Sequence, residues 1–86
     1  DPWGAGIYAF SRIHEGQEVL VVINTAGEAR EAEMFVDADL TPPGTALADA
    51  LDGAYALEAH AGHEGGSKAA VRVPAHGARV LVKKPR

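Results

Sequence analysis

Five groups of side chains in this sequence have types or spacings that invite a chemical reading. His60 and His63 stand three residues apart, with His76 further on, and that spacing fits a metal pair on one helical turn. They fall in the stretch HAGHEGG, whose glycines argue for a loop, and no carboxylate or third ligand lies at a telling distance. They read as solvated loop histidines, and no metal is expected. The pairs Asp37/Asp39 and Asp49/Asp52 have the makings of an acid–base couple. Such a couple needs a cleft that raises one pKa and spares the other. These aspartates lie beside turn residues instead, where a short carboxylate bonds to nearby backbone. Residues 62–66 (GHEGG) are glycine-rich but lack the lysine and following helix of a phosphate loop. Ser11 and Ser67 have no nucleophile-elbow sequence around them, and the chain has no cysteine. No catalytic residue and no cofactor is therefore assigned. Trp3, in the leading Asp1-Pro2-Trp3-Gly4, is the one candidate for a platform on which a sugar ring stacks; its alternative role is an anchor packed on the domain or a neighbour.

The elements that would position these groups are short β-type runs between turn clusters. Residues 7–13 (IYAFSRI), 18–24 (EVLVVIN), 33–36 (EMFV), 46–51 (ALADAL), 55–59 (YALEA), 69–73 (AAVRV) and 79–83 (RVLVK) give seven strands at sandwich-like spacing. Thr41-Pro42-Pro43-Gly44 bars both helix and central strand. Asp52-Gly53 between two apolar runs is a hairpin signal, because both residues tolerate positive φ. A helix over 46–61 is the competing reading, since alanine, leucine and glutamate favour it. Gly53 in its centre costs such a helix about 1 kcal/mol. The expected fold is an all-β, antiparallel two-sheet β-sandwich of seven or eight strands with Greek-key-like connections.

At 86 residues, the chain makes one domain (1–86) that buries about 63% of its unfolded surface. Hydrophobic residues at 47% and charged residues at 23% describe a globular chain. No apolar run reaches the ~18 residues of a membrane-spanning helix. Twelve acidic against eight basic residues give a net charge of −4. That balance argues against nucleic acid and against an anionic membrane surface, which both call for a basic face. The absence of cysteine leaves the compartment open, because secreted proteins can lack disulfides. The chain opens on Asp1 rather than methionine, as a piece of a longer polypeptide or a processed mature chain would.

The faces of the strands carry one anomaly. Val71 and Val73 oppose Arg72, and Val80 and Val82 oppose Arg79, Leu81 and Lys83, so each of these strands buries one side. The second strand is apolar on both: Val19, Val21 and Ile23 on one face, Leu20 and Val22 on the other. A two-sheet sandwich buries only one of them, and exposing such a side chain forgoes about 1.5–3 kcal/mol. The outer face is expected to be covered by a loop or by another domain. With Val21 inward, Leu20 and Val22 form that docking face.

The ordered set of motifs resembles the C-terminal β-sandwich domain of the α-amylase family of glycoside hydrolases and glucosyltransferases. Ile7-Tyr8-Ala9-Phe10-Ser11-Arg12, followed by Gln17-Glu18-Val19-Leu20-Val21-Val22-Ile23-Asn24-Thr25, is similar to that domain's opening strand pair. There an aromatic-x-Arg strand precedes an apolar strand ending in Asn. Residues 40–44 resemble its proline–glycine loop, 47–53 (LADALDG) its central element, and 71–81 (VRVPAHGARVL) its closing strand pair. The resemblance spans nearly the whole chain. It implies a non-catalytic accessory domain that packs against and stabilises a preceding catalytic (β/α)₈ barrel of the same polypeptide, acting on α-glucosidic bonds. The family's catalytic carboxylates and calcium sites lie outside the segment resembled, so none is carried onto this chain. Sugar binding, with α-glucan as partner, is implied for some members only. The alternative function is an independent carbohydrate-binding or adhesion β-sandwich; exposed aromatics on one face would favour it, and an apolar patch without them would favour docking.

Overall fold

The β-branched runs pair, and the turn residues decide where they stop. A computed structural model describes residues 6–84, which hold eight strands and no helix. These are β1 (Ile7–His14), β2 (Gln17–Asn24), β3 (Arg30–Val36), β4 (Ala46–Asp49), β5 (Ala56–Glu58), β6 (His60–Ala61), β7 (Ser67–Val73) and β8 (Ala78–Lys83). A five-stranded sheet in the order β1-β2-β8-β4-β5 faces a three-stranded sheet in the order β3-β7-β6. Every strand pairing is antiparallel. The last strand inserts between β2 and β4, so the chain crosses between sheets as Greek-key connections require. The all-β sandwich expected from the sequence is the fold observed.

The competing helix over 46–61 does not form; as the strand reading expected, the segment is extended and holds β4, β5 and β6. Two local expectations change. Residues 60–61, read as loop, form β6 by pairing with Lys68 and Ser67. Strand β3 begins at Arg30 because Arg30 and Glu31 pair with Val73 and Arg72; backbone pairing extends strands into polar residues that an apolar pattern does not reach.

The hairpins also reverse an expectation. Between β1 and β2 the turn is Glu15-Gly16, with φ of 52° and 76°, the two left-handed residues of a type I′ turn. The β4–β5 hairpin forms, pairing Leu47 with Leu57 and Ala48 with Ala56, yet neither Asp52 nor Gly53 has positive φ. Its longer loop is shaped by aspartate side chains. Asp49 Oδ1 accepts from the Leu51 amide at 3.0 Å, and Asp52 Oδ1 from the Ala54 amide at 3.1 Å.

Between the sheets lie Ile7, Leu20, Val22, Ala32, Met34, Leu47, Ala69, Val71, Val73 and Leu81. Leu20 and Val22 are 1% and 0% exposed, which corrects their reading as a docking face. Val21 faces outward, so parity assigns the outer side of β2 to Val19, Val21 and Ile23. Strand β8 follows the same parity: Leu81 is core, and Val80 pairs beside Val21 on the outer side.

Candidate functional site

The outer side of the five-stranded sheet carries an apolar surface whose central valines, Val19, Val21, Val80 and Val82, are half-buried. Strand register sets its rows. Tyr8, Ile23 and Ala78 lie side by side, then Phe10, Val21 and Val80. Val19 stands next to Arg12 and Val82 next to Ala48. Tyr8 is 58%, Phe10 48% and Ile23 37% exposed. Four strands spaced ~4.8 Å apart make this face at least ~14 Å wide. Contiguous apolar faces on soluble domains mark contact sites.

The outer side of the three-stranded sheet is different. Cross-strand pairs there join Glu31 to Arg72 and Phe35 to Lys68. Lys68 Nζ bonds Glu33 Oε1 at 3.1 Å and lies 4.6 Å from the Phe35 ring centroid. His60 Nε2 is 3.4 Å from Glu33 Oε2. The Lys68 hydrogen bond and charge, aided by His60, hold the Glu33 carboxyl below its ordinary value. One side of the sandwich is thus charged and the other apolar.

The aspartate pairs take structural roles. Asp37 Oδ1 accepts from the amides of Asp39 and Leu40 at 2.8 and 3.0 Å, capping a turn. The Asp49 side chain is wholly buried against Arg79 at 3.2 Å. Burial pushes its carboxyl up, but the amides of Val80 and Leu51 and the Arg79 guanidinium outweigh burial and hold it below its ordinary value. Asp52 reaches the same guanidinium at 3.5 Å. Both pairs are tied up in turn and ion-pair contacts, so the geometry offers no acid–base couple.

Two more buried polar groups tie the sandwich together. Asn24 Nδ2 donates to the carbonyls of Glu28, Val73 and Pro74 at 2.8, 3.2 and 3.1 Å, and its Oδ1 accepts from the Ala26 amide at 2.9 Å. The asparagine that ends the apolar strand therefore locks β2 to the turn after β7. Glu18 accepts from the Asp37 amide through both oxygens, at 3.1 and 3.0 Å, and from Thr41 Oγ1 at 2.7 Å. It fastens the loop between β3 and β4 to the inner side of β2.

His60 and His63 line one open hollow with Glu33 and Lys68, while His76 lies in the β7–β8 turn at a φ of 52°. Among the described residues no group of three or more histidines, aspartates or glutamates is placed to hold a metal. The Ser67 hydroxyl is buried without a hydrogen-bond partner on the inner side of β7. Trp3 lies outside the described residues. The sequence reading missed the Glu33–Phe35–His60–Lys68 group. The signal was available: Ala32 and Met34 alternate with Glu31, Glu33 and Phe35, which sets Phe35 among charges on a wet face. Compared with family models, curated proteins and solved structures, the chain matches none.

Proposed function

We propose that this chain is the non-catalytic C-terminal β-sandwich of an α-amylase-family enzyme, docked on the catalytic barrel of the same polypeptide and stabilising it. The observation that carries the reading is the contrast between the sandwich's two outer sides. The five-stranded sheet presents Val19, Val21, Ile23, Val80 and Val82 with Tyr8 and Phe10 at its edge. The three-stranded sheet presents Glu31, Glu33, Lys68 and Arg72, with Phe35 among them. A barrel of this type is walled on the outside by helices, and an apolar helix stripe is the complement of a flat apolar sheet. The resemblance in the first two strands supports the family. Tyr8 and Phe10 alone would favour sugar binding, but their cross-strand neighbours are Val21, Ile23 and Val80, with Arg12 further along the same face of β1. Saccharide sites need both an apolar platform and convergent polar groups.

The test is a pair of assays on an α-glucoside. The chain alone should show no turnover above buffer, and the polypeptide that contains it should hydrolyse or transfer the glucosyl group. A containing polypeptide with no barrel and no α-glucoside turnover overturns the reading.

A further inference from the structure

Among the described residues the two sheets end in β1, β5, β3 and β6, and three of these edges are guarded against pairing with another chain. β5 and β6 hold three and two residues, too short to template a new strand. β3 is longer, but its middle residue is the outward Glu33. A two-fold pairing there would set that carboxylate against its own copy. β1 has no such device. It runs for eight residues, pairs with β2 along its whole length without a bulge, and carries neither proline nor lysine.

The hairpin decides which backbone groups of β1 reach that open edge. The type I′ turn at Glu15-Gly16 makes His14 and Gln17 a hydrogen-bonded pair. Alternation then turns the bonding groups of Arg12, Phe10 and Tyr8 toward β2. The Thr25 amide, donating to the Gly6 carbonyl at 2.7 Å, continues the series. The amides and carbonyls of Ile7, Ala9, Ser11 and Ile13 therefore point away from the sheet, and no other described segment pairs with them.

The side chains of β1 select the partner. Ile13 has the inward parity of the buried Ile7, yet it is 58% exposed. On the outward side the aromatic Tyr8 and Phe10 occupy one half and Arg12 the other. An antiparallel copy paired about Phe10 brings the unlike halves together. Ile13 then lies opposite Ile7 of the second copy, Tyr8 opposite its Arg12, and the two Phe10 rings meet on the axis. Aromatic pairs attract, as does a guanidinium over a tyrosine ring. The open residues exchange about eight backbone hydrogen bonds. The strand is thus its own complement.

We infer that the free edge of β1 pairs antiparallel with β1 of a second copy about a two-fold axis at Phe10, joining two five-stranded sheets into one. Such a contact consumes both open edges and closes at the dimer. It uses the edge of the sheet rather than its outer face, so it goes beyond the proposed function and does not rest on it.

The experiment is sedimentation equilibrium of the chain at concentrations up to about 1 mM. The mass should rise from monomer to dimer and no further. Ser11→Pro removes an amide that β2 does not use, and Phe10→Lys sets two ammonium groups against each other on the axis. Each should weaken the dimer at least about tenfold. Both residues lie outside the core, so circular dichroism matching the parent's should report that the variants fold; if the proline variant unfolds, Phe10→Lys decides. Val21→Thr with Val80→Thr alters the outer face instead and should leave the dimer's dissociation constant within about twofold, as surface changes away from a contact do. A monomer at every concentration, a mass that grows past the dimer, a dimer that Phe10→Lys leaves intact, or one lost with the threonine pair overturns the inference.

Discussion

Asp49 and Arg79 form an ion pair between two strands of one sheet, at 3.2 Å, with the aspartate side chain wholly buried and the arginine side chain 12% exposed. Arg79 reaches across to the other sheet as well, donating from Nε to the Arg72 carbonyl at 2.9 Å. Its guanidinium lies 3.6 Å from the Tyr55 ring centroid, and the Tyr55 hydroxyl accepts from the Arg72 amide at 2.8 Å. A charged residue thus sits at an inward position of β8, and the network around it joins the sheets.

Breaking this pair from one side should be severe. Arg79→Met leaves Asp49 buried with no cation, a change that costs about 3–5 kcal/mol in buried pairs. A domain of this size has about 4–13 kcal/mol in total, so urea melts should place the variant near the edge of folding. Replacing both partners with apolar residues should restore much of the loss, because the desolvation penalty goes with the charges.

The same pair sets a pH dependence. Asp49 has a folded-state pKa below the ordinary aspartate value of 3.8, so its contribution is fully present above that value. It is lost as pH falls through the folded pKa. Urea midpoints of the parent should fall as the pH drops below 3.8. Asp49→Asn should be less stable at neutral pH, and the stability difference between the two proteins should shrink as acid is added. A difference that stays constant across that range contradicts the assignment.

Asn24 offers a second lock to test. Asn24→Ala removes the donor that serves the Glu28, Val73 and Pro74 carbonyls, and should destabilise by about 3 kcal/mol from lost bonds plus unsatisfied groups. Asn24→Asp should be worse at neutral pH, since a carboxylate would face three carbonyl oxygens. Thermal melts of the two variants rank them.

How far the sequence reaches can be judged at individual residues. The sandwich was legible because turn glycines and β-branched runs recur at strand spacing. The parity of β2 was not, since Leu20 and Val21 are equally apolar and only the polar ends decide. Glu18 and Asn24 share parity with Leu20 and Val22, yet both are buried. Each is drawn inward by backbone groups brought together from distant segments, the Asp37 amide for one and the Val73 carbonyl for the other. Arg79 is the same case, held inside by Asp49 across thirty positions of chain. Such partners become visible only once the sheets are paired. The alternation of β3 shows Glu33 and Phe35 on one wet face, but Lys68 and His60 join them only through the pairing of β7 with β3 and β6.

The β1–β2 turn predicts a stabilising change. Glu15 adopts a φ of 52°, a left-handed conformation that asparagine and glycine tolerate better. Glu15→Asn should raise stability by about 0.5–1 kcal/mol by relieving that conformation. A urea midpoint at or below the parent's contradicts the turn geometry.

The central claim is that the outer side of the five-stranded sheet docks on a neighbouring domain, and a paired melt tests it most directly. Val21→Thr with Val80→Thr changes two adjacent outward residues while keeping shape and β-branching. In the isolated chain the pair should shift stability by less than about 1 kcal/mol, as surface changes do. In the intact polypeptide the same pair should cost roughly a few kcal/mol, the scale of burying two such side chains. An isolated chain that unfolds while the intact polypeptide loses nothing would make these residues core and contradict the account.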